Sequence, residues 1–250
     1  MLSKNKQKFI RQLALKKHRD ASGYFVAEGP KVVEELMHAF HCTLLLATPE
    51  YLAAHKPQAQ EIIEVSEREL TATSNLKTPQ QVIGVFQKKE QVAAPMPQET
   101  LVLALDGVQD PGNMGTILRL ADWFGIRHVV CSPSTADAFA PKVVQATMGA
   151  LARVSVSYTD LSLWLGALPE GCPIYGTMLD GADIYTAGLT AHGVIIMGNE
   201  GNGISPEVAG RLSHRLLIPS YPPGMPTSES LNVATATAIV CAEFRRRMQK

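Results

Sequence analysis

The sequence predicts an α/β protein in which a C-terminal domain built on a parallel sheet follows a small α+β domain. After Thr100, apolar stretches typical of strands alternate with stretches typical of helices, which indicates a parallel sheet covered on both faces. Shorter strand and helix patterns precede it. The polar, proline-bearing stretch KKEQVAAPMPQET separates the two regions, so we place the boundary near Pro95 and predict domains 1–95 and 96–250.

The N-terminal region has the elements of a small α+β unit. Apolar Phe9, Ile10 and Leu13 recur at near-helical spacing and predict a helix from Lys4 to about Lys17. The remaining segments, in order, predict a strand ending in a turn, a helix, a strand, a helix and an apolar segment: YFVAEGP, KVVEELMHAF, CTLLLAT, SERELTATS and VIGVFQ.

The C-terminal region alternates regularly. The predicted strands are LVLALDGV, HVVCS, ARVSV, PIYGTML, GVIIMG and RLLIPS, and the predicted helices are NMGTILRLADWFG, PKVVQATMGALA, LSLWLGAL, a short one after Pro206 and a last one from about Ser230 to Arg247. Ligands of such sheets bind at the carboxyl ends of the strands. Three loops fall at such ends and are the candidate site: DGVQDPGNMG, MGNEGNG and IPSYPPGMPTSESLN.

Composition narrows the class of protein. The 250 residues are 46% hydrophobic and 18% charged, enough to bury a substantial core. The four cysteines are far apart, with neither a C-x-x-C pair nor clustered histidines, so we expect no metal site and a reducing, cytoplasmic setting. No apolar run approaches the roughly 20 residues that span a bilayer, so no membrane contact is expected.

Charge is balanced overall but concentrated at both ends. Basic residues crowd the first twenty positions (Lys4, Lys6, Lys8, Arg11, Lys16, Lys17 and Arg19), and three arginines and a lysine close the chain (Arg245, Arg246, Arg247 and Lys250). Each cluster is either a solvated helix face or a surface for nucleic-acid phosphates, and a basic amphipathic transit peptide is disfavoured because serine is sparse.

The loop in VIIMGNEGNGIS combines three glycines with Glu200. Its G-x-x-G-x-G spacing differs from both the dinucleotide fingerprint and the P-loop, and a carboxylate would repel a phosphate. A tight turn with glycines at positive φ is the plain alternative. This loop therefore indicates something other than a phosphate cradle.

Two further segments carry polar residues in helical context. Asn113 is expected to cap the helix that follows Pro111, and Arg119 lies between apolar neighbours, where it either forms a structural ion pair or supplies a fixed cation to a site. The last helix is expected to begin with Ser228 or Ser230 as its N-cap, and its small residues permit close backbone approach.

Together, NMGTILRLADWFGI, IIMGNEGNGIS and LLIPSYPPGMPTSESLNVATATAI resemble, in order and spacing, the three motifs of the SpoU/TrmH family of S-adenosylmethionine-dependent RNA ribose 2′-O-methyltransferases. The start of the chain resembles the small RNA-binding domain, akin to a ribosomal-protein fold, that many members carry. The resemblance implies a deep trefoil knot in the C-terminal domain, a homodimer packed through it, and RNA as partner, with ribosomal RNA favoured over transfer RNA.

The same resemblance implies roles for individual residues. Arg119 matches the family's essential arginine, Asn113 the asparagine before it, and Glu200 the motif glutamate. Residues implied to contact the methyl donor are Thr177, Met178, Leu179, Gly198, Asn199, Gly203, Ile218, Pro219, Ser230, Leu231 and Asn232. A branched side chain at Gly198 is expected to exclude the donor while the fold survives. The loop from Ser220 to Glu229 is longer and richer in proline than the family pattern.

Two other classes of protein are open. A catalytically silent RNA-binding or ribosome-assembly factor of the same fold would keep the architecture without turnover, although the intact motif residues weigh against it. A nucleotide-dependent oxidoreductase is disfavoured, because its phosphate fingerprint is absent.

Overall fold

The computed structural model describes residues 2–90, 93–222 and 224–248. The chain forms two compact units: one comprises Met1–Glu90 together with Asp137–Arg153, and the other Gln91–Ala136 together with Val154–Lys250. The predicted α/β class with a parallel sheet is confirmed. The knot and the domain limits 1–95 and 96–250 stay predictions.

The first unit contains a four-stranded sheet in the order β1-β4-β2-β3. Strands β1 and β2 both run antiparallel to β4, and β3 runs parallel to β2. The carboxyl ends of β1, β2 and β3 therefore lie at the same end of the sheet. The elements of Met1–Glu90 are α1 Lys4–Gln12, α2 Lys16–Ser22, β1 Tyr24–Glu28, α3 Pro30–Met37, β2 Cys42–Ala47, α4 Pro49–Ala54, β3 Glu61–Glu64, α5 Glu67–Thr73 and β4 Val82–Gln87.

The predicted N-terminal helix is shorter than the sequence pattern suggested. Helix α1 ends at Gln12, and Leu15 has extended backbone before α2 begins. The carbonyls of Leu13 and Ala14 accept hydrogen bonds from the buried guanidinium of Arg19, both at 2.8 Å. Apolar spacing did not reveal this break, because Leu13 still points into the core.

Two elements of this unit were missed. Helix α4 follows Thr48, whose side chain accepts from the backbone N–H of Tyr51, with proline at the first turn. Strand β3 is short and largely exposed at the sheet edge, so its residues carry little apolar alternation.

The segment Asp137–Arg153 packs within the first unit. It carries α7 Pro141–Thr147 and a 3₁₀ turn at Ala150–Ala152. The Phe139 ring lies 4.8 Å from the ring of Phe25 and 6.3 Å from that of Phe40. Asp137 forms an ion pair with Arg19 at 2.6 Å; the Arg19 side chain is buried and that of Asp137 is 13% exposed.

The second unit is a six-stranded, entirely parallel sheet in the order β10-β8-β9-β5-β6-β7. Every residue of β5 and of β9 is buried, which explains their unbroken apolar sequences. The elements are β5 Leu101–Leu105, α6 Pro111–Trp123, β6 His128–Cys131, β7 Ser155–Tyr158, α8 Leu161–Gly166, β8 Ile174–Asp183, β9 Gly193–Met197, α9 Pro206–Ala209, β10 His214–Leu217 and α10 Val233–Met248.

All four cysteines are free thiols. Burial raises the pKa of Cys42 to about 11 and that of Cys241 to about 12, so these thiols stay protonated and serve as core side chains. Within the described ranges, no helix is long and apolar enough to cross a membrane, and no group of three or more His, Cys, Asp or Glu side chains is placed to hold a metal ion.

Candidate active site

Hydrogen bonds join Asn113, Glu200 and Asn232, one residue from each of the three motif segments. The side-chain nitrogen of Asn113 donates to Glu200 Oε1 at 2.9 Å, and that of Asn232 donates to Asn113 Oδ1 at 3.0 Å. These residues come from the start of α6, the loop after β9 and the start of α10. The three loops predicted to form the site are therefore connected directly, with Asn113 at the centre.

The helix caps differ from those predicted, and the difference gives Asn113 its role. Asp110 is the N-cap of α6, and its carboxylate accepts from the backbone N–H of Asn113 at 2.8 Å. Asn232 Oδ1 accepts from the backbone N–H groups of Ala234 and Thr235, so Asn232 caps α10 instead of Ser228 or Ser230. Because the Asp110 carboxylate already caps the first turn of α6, the side-chain amide of Asn113 is available to bridge Glu200 and Asn232.

The glycine-rich loop is closed on itself. Asn199 and Gly203 exchange backbone hydrogen bonds at 2.9 and 3.0 Å. The Asn199 side chain donates to the carbonyl of Gly107 at 2.7 Å and accepts from the N–H groups of Gly201 and Asn202. Asn199 thus holds the turn in shape and ties it to the loop after β5.

Gly198 is required by this loop for its own closure. A Cβ on Gly198 would lie 2.3 Å from the carbonyl carbon of Gly203 and 2.4 Å from the nitrogen of Ile204. Real Cβ atoms essentially never approach backbone so closely. The expectation that a branched residue here would spare the fold is therefore wrong for the loop itself.

Asp106 was not among the predicted site residues. It is buried directly after β5, and its carboxylate accepts from the backbone N–H of Ser205 at 2.8 Å. It therefore ties the far end of the glycine-rich loop to β5. Its position, an acidic residue at the carboxyl end of a buried strand, is the sequence signal that could have identified it.

Arg119 lies on the exposed face of α6 with Thr116 and Trp123. Among the described residues, none forms a hydrogen bond or ion pair with its guanidinium, so the structural ion pair considered from the sequence is absent there. It lies six residues beyond Asn113 on the same helix. The structure thus leaves a solvent-facing cation on the helix that starts at the Asn113 network.

Thr177, Met178 and Leu179 lie where the edge ladder of the sheet is interrupted. Strand β10 pairs with β8 at Gly176 and next at Ala182, so the residues between them leave the ladder. Bulges of this kind are common beside active sites. The Leu179 side chain is 76% exposed, and the Thr177 hydroxyl lies 3.8 Å from the sulfur of Met197 at the end of β9.

The remaining predicted donor residues flank the network without joining it. Ile218 is half-buried just after β10, whereas Pro219, Ser230 and Leu231 are exposed around the long loop. Among the described residues, none bonds to the Ser230 hydroxyl. Pro223 of that loop lies outside the described residues.

These residues fit S-adenosylmethionine, the donor implied by the resemblance. The glycine-rich loop carries one carboxylate and no cationic side chain, which suits a positively charged sulfonium. Leu179 and Leu231 keep apolar surface exposed, at 76% and 48%, which an adenine ring could cover. Gly203 has a φ of +69° with open space beyond its Cα, so its backbone is approachable.

The predicted RNA-binding residues of the first unit separate into distinct groups. Lys4, Lys8 and Arg11 are exposed at i, i+4 and i+7 along one face of α1. Lys6 is turned aside and forms an ion pair with Glu61. Lys16 and Lys17 are exposed at the start of α2.

The basic C-terminus has internal partners. Arg245 donates to the carbonyls of Phe124 and Gly125 at the end of α6, and Arg247 donates to those of Ile184, Tyr185 and Ala187. Arg246 and Arg247 both pair with Glu243 at 2.7 Å. These contacts hold α10 in place, which favours a structural role over RNA contact. Lys250 lies outside the described residues.

Family models match both parts of the chain. The SpoU rRNA Methylase family matches residues 100–242, and an MRM3-like substrate binding domain matches residues 4–84. The chain therefore belongs to the SpoU rRNA methylase family. It is an S-adenosylmethionine-dependent RNA ribose 2′-O-methyltransferase, as the resemblance in its motifs predicted.

Full-length relatives support this placement. The chain is 32% identical over 244 residues to the 23S rRNA (guanosine(2553)-2′-O)-methyltransferase RlmP of Bacillus subtilis, with 96% of each chain covered. It matches a solved TrmH-family structure from Porphyromonas gingivalis at 45% identity and a TM-score of 0.87, covering 99% of both chains. It also matches an AdoMet-bound rRNA methyltransferase from Sinorhizobium meliloti at 32% identity and a TM-score of 0.85, covering 99% of this chain and 97% of that one.

Proposed function

We propose that this enzyme methylates the ribose 2′-oxygen of a nucleotide in large-subunit ribosomal RNA. The observation that carries the proposal is the Asn113–Glu200–Asn232 network on the same unit as the unpaired Arg119. Ribosomal RNA is favoured because the similarity to RlmP extends over nearly the whole of both chains. The four free thiols support a cytoplasmic setting.

Arg119 is proposed to hold the ribose and its phosphate. A guanidinium keeps its positive charge in proteins and is a poor proton acceptor, but its planar fork can bind a phosphate at two points. Its positive charge also stabilises the negative charge that develops on the 2′-oxygen in the transition state. Exposure without an internal partner is what such a role requires.

Asn113 and Glu200 are proposed to fix the geometry of the attack. When bound, S-adenosylmethionine supplies an electrophilic methyl group on a sulfonium sulfur. The network keeps the loop after β9 and the start of α10 in register with α6, where Arg119 lies. Holding reacting atoms about 3 to 3.5 Å apart can remove several kcal/mol from the barrier, so rigid loops contribute directly to rate.

The enzyme is proposed to act as a homodimer through the second unit. Trp123 is 82% exposed on α6, on the same face as Arg119. Covering an exposed indole with a partner is favourable, and tryptophan is enriched at the centres of protein interfaces. Trp123→Glu should therefore shift the mass in solution from dimer to monomer, as measured by light scattering. An unchanged mass would remove this face from the interface.

Two measurements test the function. Mapping 2′-O-methyl sites in ribosomal and transfer RNA, with and without the gene, should show the loss of one ribosomal site. Arg119→Ala and Arg119→Lys should reduce methyl transfer by about 10²-fold or more while calorimetry shows near-normal donor binding. Arg127→Ala, at another exposed arginine just after α6, is the matched control and should keep turnover. Absence of donor binding in the wild type would favour a silent RNA-binding factor.

A further inference from the structure

A cleft of about 410 Å³ lies in the first unit, at the edge where β1, β2 and β3 end. Its size falls within the range of small-ligand sites. The start of α3, the cap of α4, the first turns of α5 and the segment before β4 form its walls. The lining residues are Pro30, Thr48, Glu67, Leu70, Thr71, Pro79, Gln80 and Gln81.

The wall formed by Pro79, Gln80 and Gln81 is held in place from several sides. The backbone N–H of Thr48 donates to the carbonyl of Gln81 at 2.9 Å, and that of Gly29 donates to Val82 at the same distance. The Gln80 side chain lies against Gly29, where a Cβ would meet its oxygen at 2.9 Å. The wall is therefore formed before any ligand arrives, which lowers the entropic cost of binding.

A buried carboxylate anchors the chain that leads into this wall. Glu28 is 4% exposed at the end of β1, and it accepts from the hydroxyl of Ser74 and from the backbone N–H of Asn75, the latter at 2.8 Å. The backbone N–H of Leu76 donates in turn to the Ser74 hydroxyl. A carboxylate buried with its acceptors satisfied fixes the path from α5 towards Pro79.

The lining chemistry selects against an anion and for a flat, neutral ring. It includes one carboxylate, Glu67, and no lysine or arginine. Pro30 and Pro79 are half-buried and offer apolar surface for a ring face, while Gln80 and Gln81 are exposed and can both donate and accept. Flipped-out bases are recognised by contact of the ring face with aromatic or apolar side chains and by hydrogen bonds to the base edge, and this cleft supplies the apolar form of that contact.

We propose that this cleft binds one unpaired nucleobase of the RNA substrate, and that the base carries an exocyclic amino group. Glu67 accepts from that amino group, whereas it would repel the carbonyl that uracil presents at the same position. The proposal rests on RNA being the substrate. It adds a recognition point in the first unit that is distinct from the methyl-transfer site, so that sequence is read at a nucleotide other than the one modified.

Cytidine and uridine are the discriminating probes, because they differ in the amino or carbonyl group at position 4. Amide spectra of the full-length protein, with S-adenosylhomocysteine saturating the donor site, should show shifts at Thr71, Gln80 and Gln81. Cytidine should bind about tenfold more tightly than uridine. Glu67→Gln should erase that preference, and Glu64→Gln, an exposed glutamate outside the cleft, should retain it.

A kinetic arm separates this proposal from the proposed function. Thr71→Trp places an indole in the cleft from an exposed position on α5 and should raise the KM for RNA about tenfold with kcat unchanged. Equal binding of both nucleosides, or shifts confined to the second unit, would overturn the cleft assignment while methyl transfer persisted. Loss of RNA methylation by the wild type in every RNA tested would instead overturn the function.

Discussion

Replacing Asp137 with alanine removes the carboxylate that pairs with the buried guanidinium of Arg19. Arg19 is 2% exposed, with Nη2 and Nε at 2.6 and 3.1 Å from Asp137 Oδ2. Its other contacts are two backbone carbonyls, which are neutral and do not offset a full charge. Leaving one buried ion without its partner costs about 3–5 kcal/mol, so the free energy of unfolding of the first unit should fall by that amount.

The assay has to distinguish the two units. Both tryptophans of the chain, Trp123 and Trp164, belong to the second unit, so tryptophan fluorescence reports that unit alone. Hydrogen exchange of amides in β1 and β4, measured against urea, reports the first. With a slope of about 2 kcal/mol per molar urea, the midpoint for these amides should fall by about 2 M.

Matched variants give the comparison its meaning. Glu61→Ala removes an ion pair with Lys6 whose side chains are 37% and 49% exposed, and it should cost less than about 1 kcal/mol. Asp137→Asn keeps an acceptor for the backbone N–H of Phe139, which donates to Asp137 Oδ1 at 3.0 Å. Its loss of unfolding free energy should therefore lie between those of Glu61→Ala and Asp137→Ala. An Asp137→Ala loss as small as that of Glu61→Ala would refute the argument that this buried pair secures the segment.

Three further outcomes are expected. Gly198→Ala should lower donor affinity at least about tenfold and the free energy of unfolding by about 1–3 kcal/mol, because the added Cβ would collide with backbone atoms. Gly201→Ala is the control, since its Cβ would lie 3.5 Å from its nearest neighbour. It should match the wild type in donor binding by calorimetry and in thermal melting. Arg246 and Arg247 lower the pKa of Glu243 to about 2, below the value of about 4.3 in the unfolded chain. The stability that Glu243 adds is therefore complete above about pH 4.5 and is lost as the pH falls towards 2. The free energies of unfolding of the wild type and of Glu243→Gln should converge over this range. A difference between them that stays constant with pH would contradict the prediction. Replacing Lys4, Lys8 and Arg11 with alanine should reduce the number of counterions released on RNA binding by about two to three, as read from the slope of log affinity against log salt. Lys6→Ala should change that slope less, because Lys6 is already paired with Glu61. Equal slopes for the triple variant and the wild type would make the α1 face a solvated surface.

The sequence predicted the second unit well because its signals are local. Strands such as β5 and β9 are buried on both faces, so their apolar runs follow directly from the parallel sheet. The pairing of Asn113 with Glu200 and Asn232 could be expected only through the family motifs. Spacing along the chain cannot show which loops meet when the partners are 87 and 119 residues apart.

The errors arose where a side chain had a partner distant in sequence. Asn113 was assigned a capping role that Asp110 fulfils, because both residue types cap helices and only the geometry separates them. The role of the C-terminal arginines stays open from the sequence, because the backbone carbonyls that accept their hydrogen bonds lie about 60 and 120 residues earlier and are uncharged. A side chain at Gly198 was expected to collide with the methyl donor, whereas it would first collide with the backbone of Gly203 and Ile204 in the same loop.

The discontinuous composition of the first unit has a consequence for protein engineering. Because Asp137–Arg153 packs with Met1–Glu90, the chain passes between the units three times: after Glu90, before Asp137 and after Arg153. A chimera that exchanges only the residues before Pro95 would therefore place a foreign sheet against Phe139 and Asp137 of the original chain, without the matching stretch from its own parent. A functional exchange of RNA-binding modules between relatives should require both stretches to be transplanted together, and a catalytic fragment beginning near Gln98 should require Phe139 to be replaced by a polar residue to stay in solution.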